Sequence, residues 1–229
     1  MTRTTTAIGY TDNLPASDPA SLVEREVELP EPGPHDLVVA VEAVSVNPID
    51  TKVRRAQPSG GFRVLGFDAA GTVAAVGSEV TLFVVGDEVA YAGQVNRDGS
   101  NARLQLVDER IVGRRPSGLS WEEAASLPLT TLTAWESVMD RLGLTEAREG
   151  TLLVIGATGG VGVVLLQLAE GAGLGVLAGV EPALRHLPGL ERRIEALADE
   201  YLAVAVDEHD ARAGAIREGG GVGHLVAGL

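Results

Sequence analysis

The 229-residue chain has no cysteine, a formal net charge of −14, and 45% hydrophobic residues with only 3% aromatic. Absence of cysteine excludes disulfides, thiolate nucleophiles and cysteine-ligated zinc or iron–sulfur centres. The acidic balance argues against nucleic-acid backbones and anionic membrane surfaces as partners, and the core must be aliphatic.

The length allows one large domain or two small ones. The opening Met1-Thr-Arg-Thr-Thr-Thr-Ala7 has no apolar stretch with a cleavage site, so no signal peptide is expected and the expected location is cytoplasmic. Arginine carries nearly all the positive charge, because Lys52 is the only lysine.

The first half reads as short strands between turns. Pro30-Glu-Pro-Gly-Pro34 is a rigid turn, followed by the β-branched run Leu37 to Val46, which Asn47-Pro48 stops. Gly71 to Val76 and Glu88 to Tyr91 are further strands, with Leu104 to Val107 and Arg110 to Val112 as short candidates. Glycine-punctuated strands at this spacing predict a barrel-like or sandwich-like β domain.

The pattern changes near residue 120. Ser120-Trp-Glu-Glu123 predicts a capping box that opens a helix, interrupted at Pro128 and resuming through Thr133 to Leu142. Leu152 to Ile155 is apolar without alternation, as in a parallel strand buried on both faces. Val161 to Glu170 reads as a helix, Val176 to Val180 as a strand, Leu190 to Glu200 as a helix and Leu202 to Val206 as a strand. Ala211 to Arg217 reads as a short helix and Gly223 to Val226 as the start of a fourth strand. Alternation of this kind predicts βαβ units.

Thr151 to Ala169 carries no charge and approaches the length of a membrane span. Four glycines cluster at one point in it, and no basic residue anchors its flanks, so a membrane helix is not expected.

Residues 155–162 read Ile-Gly-Ala-Thr-Gly-Gly-Val-Gly. An apolar strand precedes this loop and an apolar helix follows, the context of a dinucleotide cradle. Gly156 would turn the chain off the strand, Gly159 would let backbone N–H groups approach a pyrophosphate, and Gly162 would let the helix pack closely. Ala157, Thr158, Gly160 and Val161 complete the candidate cofactor-binding loop, whose N–H groups and helix dipole would face the phosphates. The other reading is a tight strand-to-helix turn without ligand. Glu181 lies where an acid would bind a ribose 2′-hydroxyl and favour NAD, Arg185 nearby would favour NADP, and Glu181 also reads as a solvated loop acid.

Several segments together resemble the medium-chain dehydrogenase/reductase superfamily, in its quinone oxidoreductase (ζ-crystallin-like) branch and its zinc-type alcohol dehydrogenase-like proteins. They are Ser45 to Arg54 (SVNPIDTKVR), Leu65 to Val73 (LGFDAAGTV), Gly77 to Val80, Gly86 to Val89, Val107 to Gly113, Leu127 to Glu136 (LPLTTLTAWE) and the glycine loop. The match is dense from Thr4 to about Ala169 and looser beyond.

The resemblance implies a GroES-like β domain over residues 1–122, a partial Rossmann domain over 123–229, and an active site in the cleft between them. It implies NADP or NAD as cofactor, a quinone, enone or carbonyl as acceptor, and a homodimer. Asn47 and Asp50 match the cleft motif after the second long strand, Thr133 matches a threonine near the nicotinamide, and Tyr91 lies on a segment lining the substrate side. Asn47 would hydrogen-bond the acceptor oxygen. Asp50 reads equally as a turn acid holding backbone N–H groups, and Tyr91 equally as a packed barrel residue.

Zinc-dependent relatives need a cysteine near position 47 and a His-Glu pair after Gly66. Here those places hold Asn47 and Phe67-Asp68, while His35, His186, His209 and His224 are scattered. No zinc is expected. The family's chains are longer, so the expectation is a Rossmann sheet lacking its last strands and a weakened dimer. Two readings stay open: a zinc-independent NAD(P)H oxidoreductase, or a truncated, non-catalytic nucleotide-binding paralogue or fragment.

Overall fold

The computed structural model describes residues 3–56, 60–143, 151–179, 202–205, 213–214 and 226–227. The chain divides into two compact units, one ending at Leu129 and the other beginning at Thr130.

The first unit is built on β-strands. β1 (Arg3–Tyr10) and β2 (Val23–Leu29) pair antiparallel, and β4 (Arg63–Val64) adds to the other edge of β1. β3 (Asp36–Ser45) lies inside a five-stranded antiparallel sheet with β5 (Asp68–Val76), β6 (Glu88–Ala92), β7 (Leu104–Asp108) and β8 (Val112–Arg114), in the order β7-β3-β5-β6-β8. Two register shifts in the β3–β5 ladder, at Val38/Val39 and Val41/Ala43, mark bulges that curve the sheet. The core is aliphatic apart from Phe83 and Tyr91: Leu37, Val39, Ala69, Val73, Val89 and Val107 pack with them.

Around Asn47 and Glu109 the elements differ from expectation. A helix, α1 (Pro48–Ala56), follows Asn47 directly. Proline at the first helical position has no N–H to lose and its φ is already helical. Over 110–112 the expected strand is shifted: a 3-10 turn occupies Glu109–Ile111, capped by the Asp108 carboxylate on the Arg110 N–H, and β8 starts at Val112.

The capping box at Ser120 is present in both directions, with Ser120 Oγ accepting from the Glu123 N–H and the Glu123 carboxylate accepting from the Ser120 N–H. It opens α2 (Trp121–Ala125), whose Ala124 and Ala125 pack on Ala70. The next helix, α3 (Pro128–Trp135), begins at Pro128 itself and continues as a π-helical turn over Glu136–Arg141.

In the second unit, β9 (Thr151–Ile155) is the middle of three parallel strands. β10 (Gly175–Gly179) pairs on one side and β11 (Leu202–Ala205) on the other. α4 (Gly160–Gly171) joins β9 to β10 and buries Leu165 and Ala169 in a cluster with Leu152, Val154, Ala134 and Val138. The uncharged stretch 151–169 is therefore strand, loop and helix, and among the described residues no helix is long and apolar enough to cross a membrane.

Two expectations are corrected at the described residues 213–214 and 226–227. Ala213–Gly214 forms β12, pairing antiparallel with β13 (Val226–Ala227), so 213–214 are not helical and 226–227 do not extend the parallel sheet. The low helix propensity of glycine weakens a helix through Gly214. The helix expected over 190–200 lies outside the described residues.

Candidate functional site

In the first unit, Asn47, Asp50 and Asp68 form one buried hydrogen-bonded group. Asn47 sits just before α1 and is 8% exposed; Asp50, in the first turn of α1, is 7% exposed; Asp68, the first residue of β5, has no exposure. The Asp50 carboxylate accepts from the backbone N–H of Asn47 (2.8 Å) and of Gly66 (3.0 Å). It thereby satisfies an N–H that α1 leaves free at its start. This is the turn-acid role that the sequence left open beside a catalytic one.

Asp68 is engaged through both oxygens. Oδ1 accepts from the Leu129 N–H at 2.9 Å, in the first turn of α3, and Oδ2 accepts from Asn47 Nδ2 at 2.9 Å. Its backbone carbonyl accepts from Ser100 Oγ. Burial is the main reason its pKa rises to about 6, with Asp50 adding to it and the bonds from Asn47 and Leu129 opposing it. Burial also pushes Asp50 upward, against the two backbone N–H groups it accepts. Sequence reading used Asp68 only to argue against zinc. Its signal was an acid opening an otherwise uncharged strand, Asp68-Ala-Ala-Gly-Thr-Val-Ala-Ala-Val76.

Tyr91 is 1% exposed and packs in the core of the five-stranded sheet. Its hydroxyl donates to Gln105 Oε1 at 2.8 Å, and burial pushes the phenol well above the usual tyrosine range. Its neighbour Gln105 and the ion-paired Asp36 and Arg97 line a cavity of about 270 Å³, bordered by neither Asn47, Asp50 nor Asp68. A cavity of that size is at the small end for ligand pockets.

In the second unit the glycine loop leaves β9 at the point where the sheet order reverses, with β10 on one side and β11 on the other. Open parallel sheets bind ligands outside the carboxyl ends of their strands at such a switch point. Gly156 has φ +78, a conformation costly for a side-chain-bearing residue. Gly159 caps α4 in an extended conformation, and its own N–H closes onto the Gly156 carbonyl at 3.0 Å. The N–H groups of Gly160, Val161 and Gly162 open the helix, and no side chain caps it. A Cβ on Gly162 would overlap the Gly156 carbonyl and sit 2.6 Å from Ala157 Cα. Ala157 is buried and Thr158 exposed. Thr133 lies on α3, partly buried, its carbonyl accepting from Ser137 Oγ. Glu181 lies outside the described residues.

Phe67 packs with Tyr10, Val53 and Leu65, both Asp68 oxygens and the Asn47 amide nitrogen already have partners, and no group of three or more metal-ligating side chains occurs among the described residues. A zinc site needs three or four converging ligands.

An antiparallel β unit followed by a parallel-sheet unit with a glycine cradle defines the dehydrogenase/reductase class with a GroES-like domain. Residues 33–135 match the alcohol dehydrogenase GroES-like domain. The zinc-type alcohol dehydrogenase-like protein of Staphylococcus epidermidis is 41% identical over 175 residues, 75% of this chain and 52% of that protein. The quinone oxidoreductase of Pseudomonas aeruginosa is 37% identical over 169 residues, 71% of this chain and 49% of that protein. A solved structure of a zinc-dependent alcohol dehydrogenase-type protein from Rhizobium etli CFN 42 aligns with TM-score 0.78 and 38% identity, over 90% of this chain and 73% of that one. The chain belongs to the medium-chain dehydrogenase/reductase superfamily, in its quinone oxidoreductase type. It spans about half the length of the curated relatives it matches.

Proposed function

We propose that the protein is an NAD(P)H-dependent oxidoreductase that reduces a quinone, enone or related carbonyl without zinc. The observation that carries this reading is the glycine loop at the switch point of the parallel sheet. Its helix N-terminus opens with three N–H groups that no side chain caps, and Gly162 lets α4 pack directly against the Gly156–Ala157 backbone of the loop. A bound nicotinamide supplies the hydride. Thr133 is the proposed residue beside the nicotinamide.

The proposed acceptor class follows from the side chains themselves, since no group of three or more metal-ligating side chains is found among the described residues and Asn47 and Asp68 are bonded to each other. Simple ketones need strong polarisation, which zinc gives in other enzymes. Quinones and enones accept hydride with less help, so hydrogen bonding at the acceptor oxygen suffices. Asn47 is the proposed partner of that oxygen. Asp50 is given the structural role its bonds indicate, holding the α1 entry, and Tyr91 is left out of the reaction.

Fluorescence titration with NADPH and NADH, followed by turnover with a small quinone, tests the reading. Saturable binding of either cofactor with quinone-dependent oxidation supports it. Binding without turnover supports a non-catalytic nucleotide-binding chain, and no binding of either cofactor overturns both.

A further inference from the structure

The Asn47 carboxamide is held by its nitrogen. Nδ2 donates to Asp68 Oδ2 at 2.9 Å and lies 3.4 Å from the Ser45 carbonyl oxygen. A charged carboxylate only accepts, so it selects the NH2 end of the amide. The end left without a partner among the described residues is Oδ1, which also only accepts. A quinone or carbonyl oxygen is an acceptor too, so the two cannot bond while Asp68 is charged.

We propose that Asp68 is a positioning residue that sets which end of the Asn47 carboxamide is offered to a ligand. This rests on the reading of Asn47 as the partner of the acceptor oxygen. With Asp68 ionised, Asn47 offers Oδ1 and takes a hydroxyl or N–H, as on a hydroquinone or alcohol. When Asp68 takes a proton from solvent, Oδ1 remains occupied by the Leu129 N–H, so the proton resides on Oδ2. That O–H donates to the Asn47 carbonyl after a half-turn of the amide. Nδ2 is released and can donate to a quinone or carbonyl oxygen. No bond other than the O–H is made, and no redox change occurs at the protein. The pair thus discriminates the oxidised acceptor from its reduced product.

The surroundings make this exchange local. Asp50 is the charged group that acts on Asp68, and its own oxygens are taken by the Asn47 and Gly66 N–H groups. Ser100 contacts only the Asp68 backbone carbonyl. Burial brings Asp68 to about 6, within reach of neutral pH.

The experiment uses the full chain labelled with 15N. The sequence holds four asparagines and four glutamines, so its side-chain amide signals are few, and Asn47→Asp identifies the Asn47 pair by its loss. In the wild type the Asn47 pair should shift with a midpoint near 6, and in Asp68→Asn it should not titrate. An Asn47 pair that ignores pH in the wild type, or titrates identically in Asp68→Asn, overturns the proposal. The wild-type series alone decides this if the variant does not fold. In turnover with NADPH and a small quinone, kcat/KM for the quinone should fall about tenfold or more between roughly pH 5.5 and 7.5, and the fall should vanish in Asp68→Asn. A chain whose Asn47 titrates but does not turn over sinks the oxidoreductase reading and keeps the positioning. A chain that turns over with a flat Asn47 signal does the reverse.

Discussion

Gly162 faces the Gly156 carbonyl with no room for a side chain: a Cβ there would overlap that oxygen and lie 2.6 Å from Ala157 Cα. Gly162→Ala should therefore destabilise the second unit by about 1–3 kcal/mol, the usual cost of forcing a methyl into a packed position. It should also weaken NADPH binding, because relief of the clash moves the N–H groups at the start of α4. Thermal melting with a fluorescence titration checks both. Unchanged affinity in a folded Gly162→Ala protein would remove this loop from the cofactor site.

Tyr91→Phe separates packing from proton donation. Removing the hydroxyl leaves Gln105 Oε1 buried and unpaired, which should cost about 1–3 kcal/mol of stability. Turnover per folded molecule should stay within about twofold, since a buried hydroxyl bonded to Gln105 reaches no substrate. A much larger fall in kcat at unchanged stability would return Tyr91 to the reaction.

Asp68 sets an unusual pH dependence of stability. Its folded pKa of about 6 lies above the ordinary carboxylate value, so folding takes up a proton between the two. Stability contributed by this group is present below the unfolded value and lost as pH rises to about 6. The fall amounts to roughly 3 kcal/mol from the size of the shift, and Asp50 acts in the same direction. Asp36, held low by Arg97, works the other way: its contribution is present above its unfolded value and lost as pH falls. Urea unfolding near pH 4.5 and pH 7 should show the Asp68 component, and Asp68→Asn should remove it. Identical pH slopes in the two proteins would refute the assignment.

Glu109 clasps a loop with an apolar tip. One carboxylate oxygen accepts from the N–H groups of Thr81 (2.8 Å) and Leu82 (2.7 Å), and the other pairs with His35. Beyond the clasp, Leu82, Val84 and Val85 are each more than half exposed. Glu109→Ala should accelerate amide exchange at Thr81 and Leu82 while leaving the β3–β5 ladder protected. Equal exchange in both proteins would show that the loop is held elsewhere.

The sequence showed what depends on neighbours along the chain. The glycine loop, the Ser120–Glu123 capping box and the run feeding β3 each carry their signal within a few residues. Asn47-Pro48 marks a strand stop in the sequence, but Asn-Pro-Ile-Asp also suits a helix start, which is what α1 uses. β2 gives a weak strand signal because charges interrupt it, as in Val23-Glu-Arg-Glu-Val-Glu-Leu29, and β1 opens on an arginine and three threonines before its apolar residues. The role of Asp68 could not be read locally, since its partners Asn47 and Leu129 lie 21 and 61 positions away. Conversely, Tyr91 looked available because a strand pattern does not say which face closes over the core.

The parallel sheet also imposes an order on assembly during synthesis. β9 is the central strand, yet one of its edges is completed by Leu202–Ala205, which the ribosome makes only after residues 156–201. Until then the strand that carries the glycine loop presents open N–H and C=O groups to other chains. The first unit ends at Leu129, so all of its residues are made before the second unit begins. The nascent protein thus passes through a stage in which every residue of the first unit is made while the half-sheet is still open, and chaperone demand should concentrate in that interval.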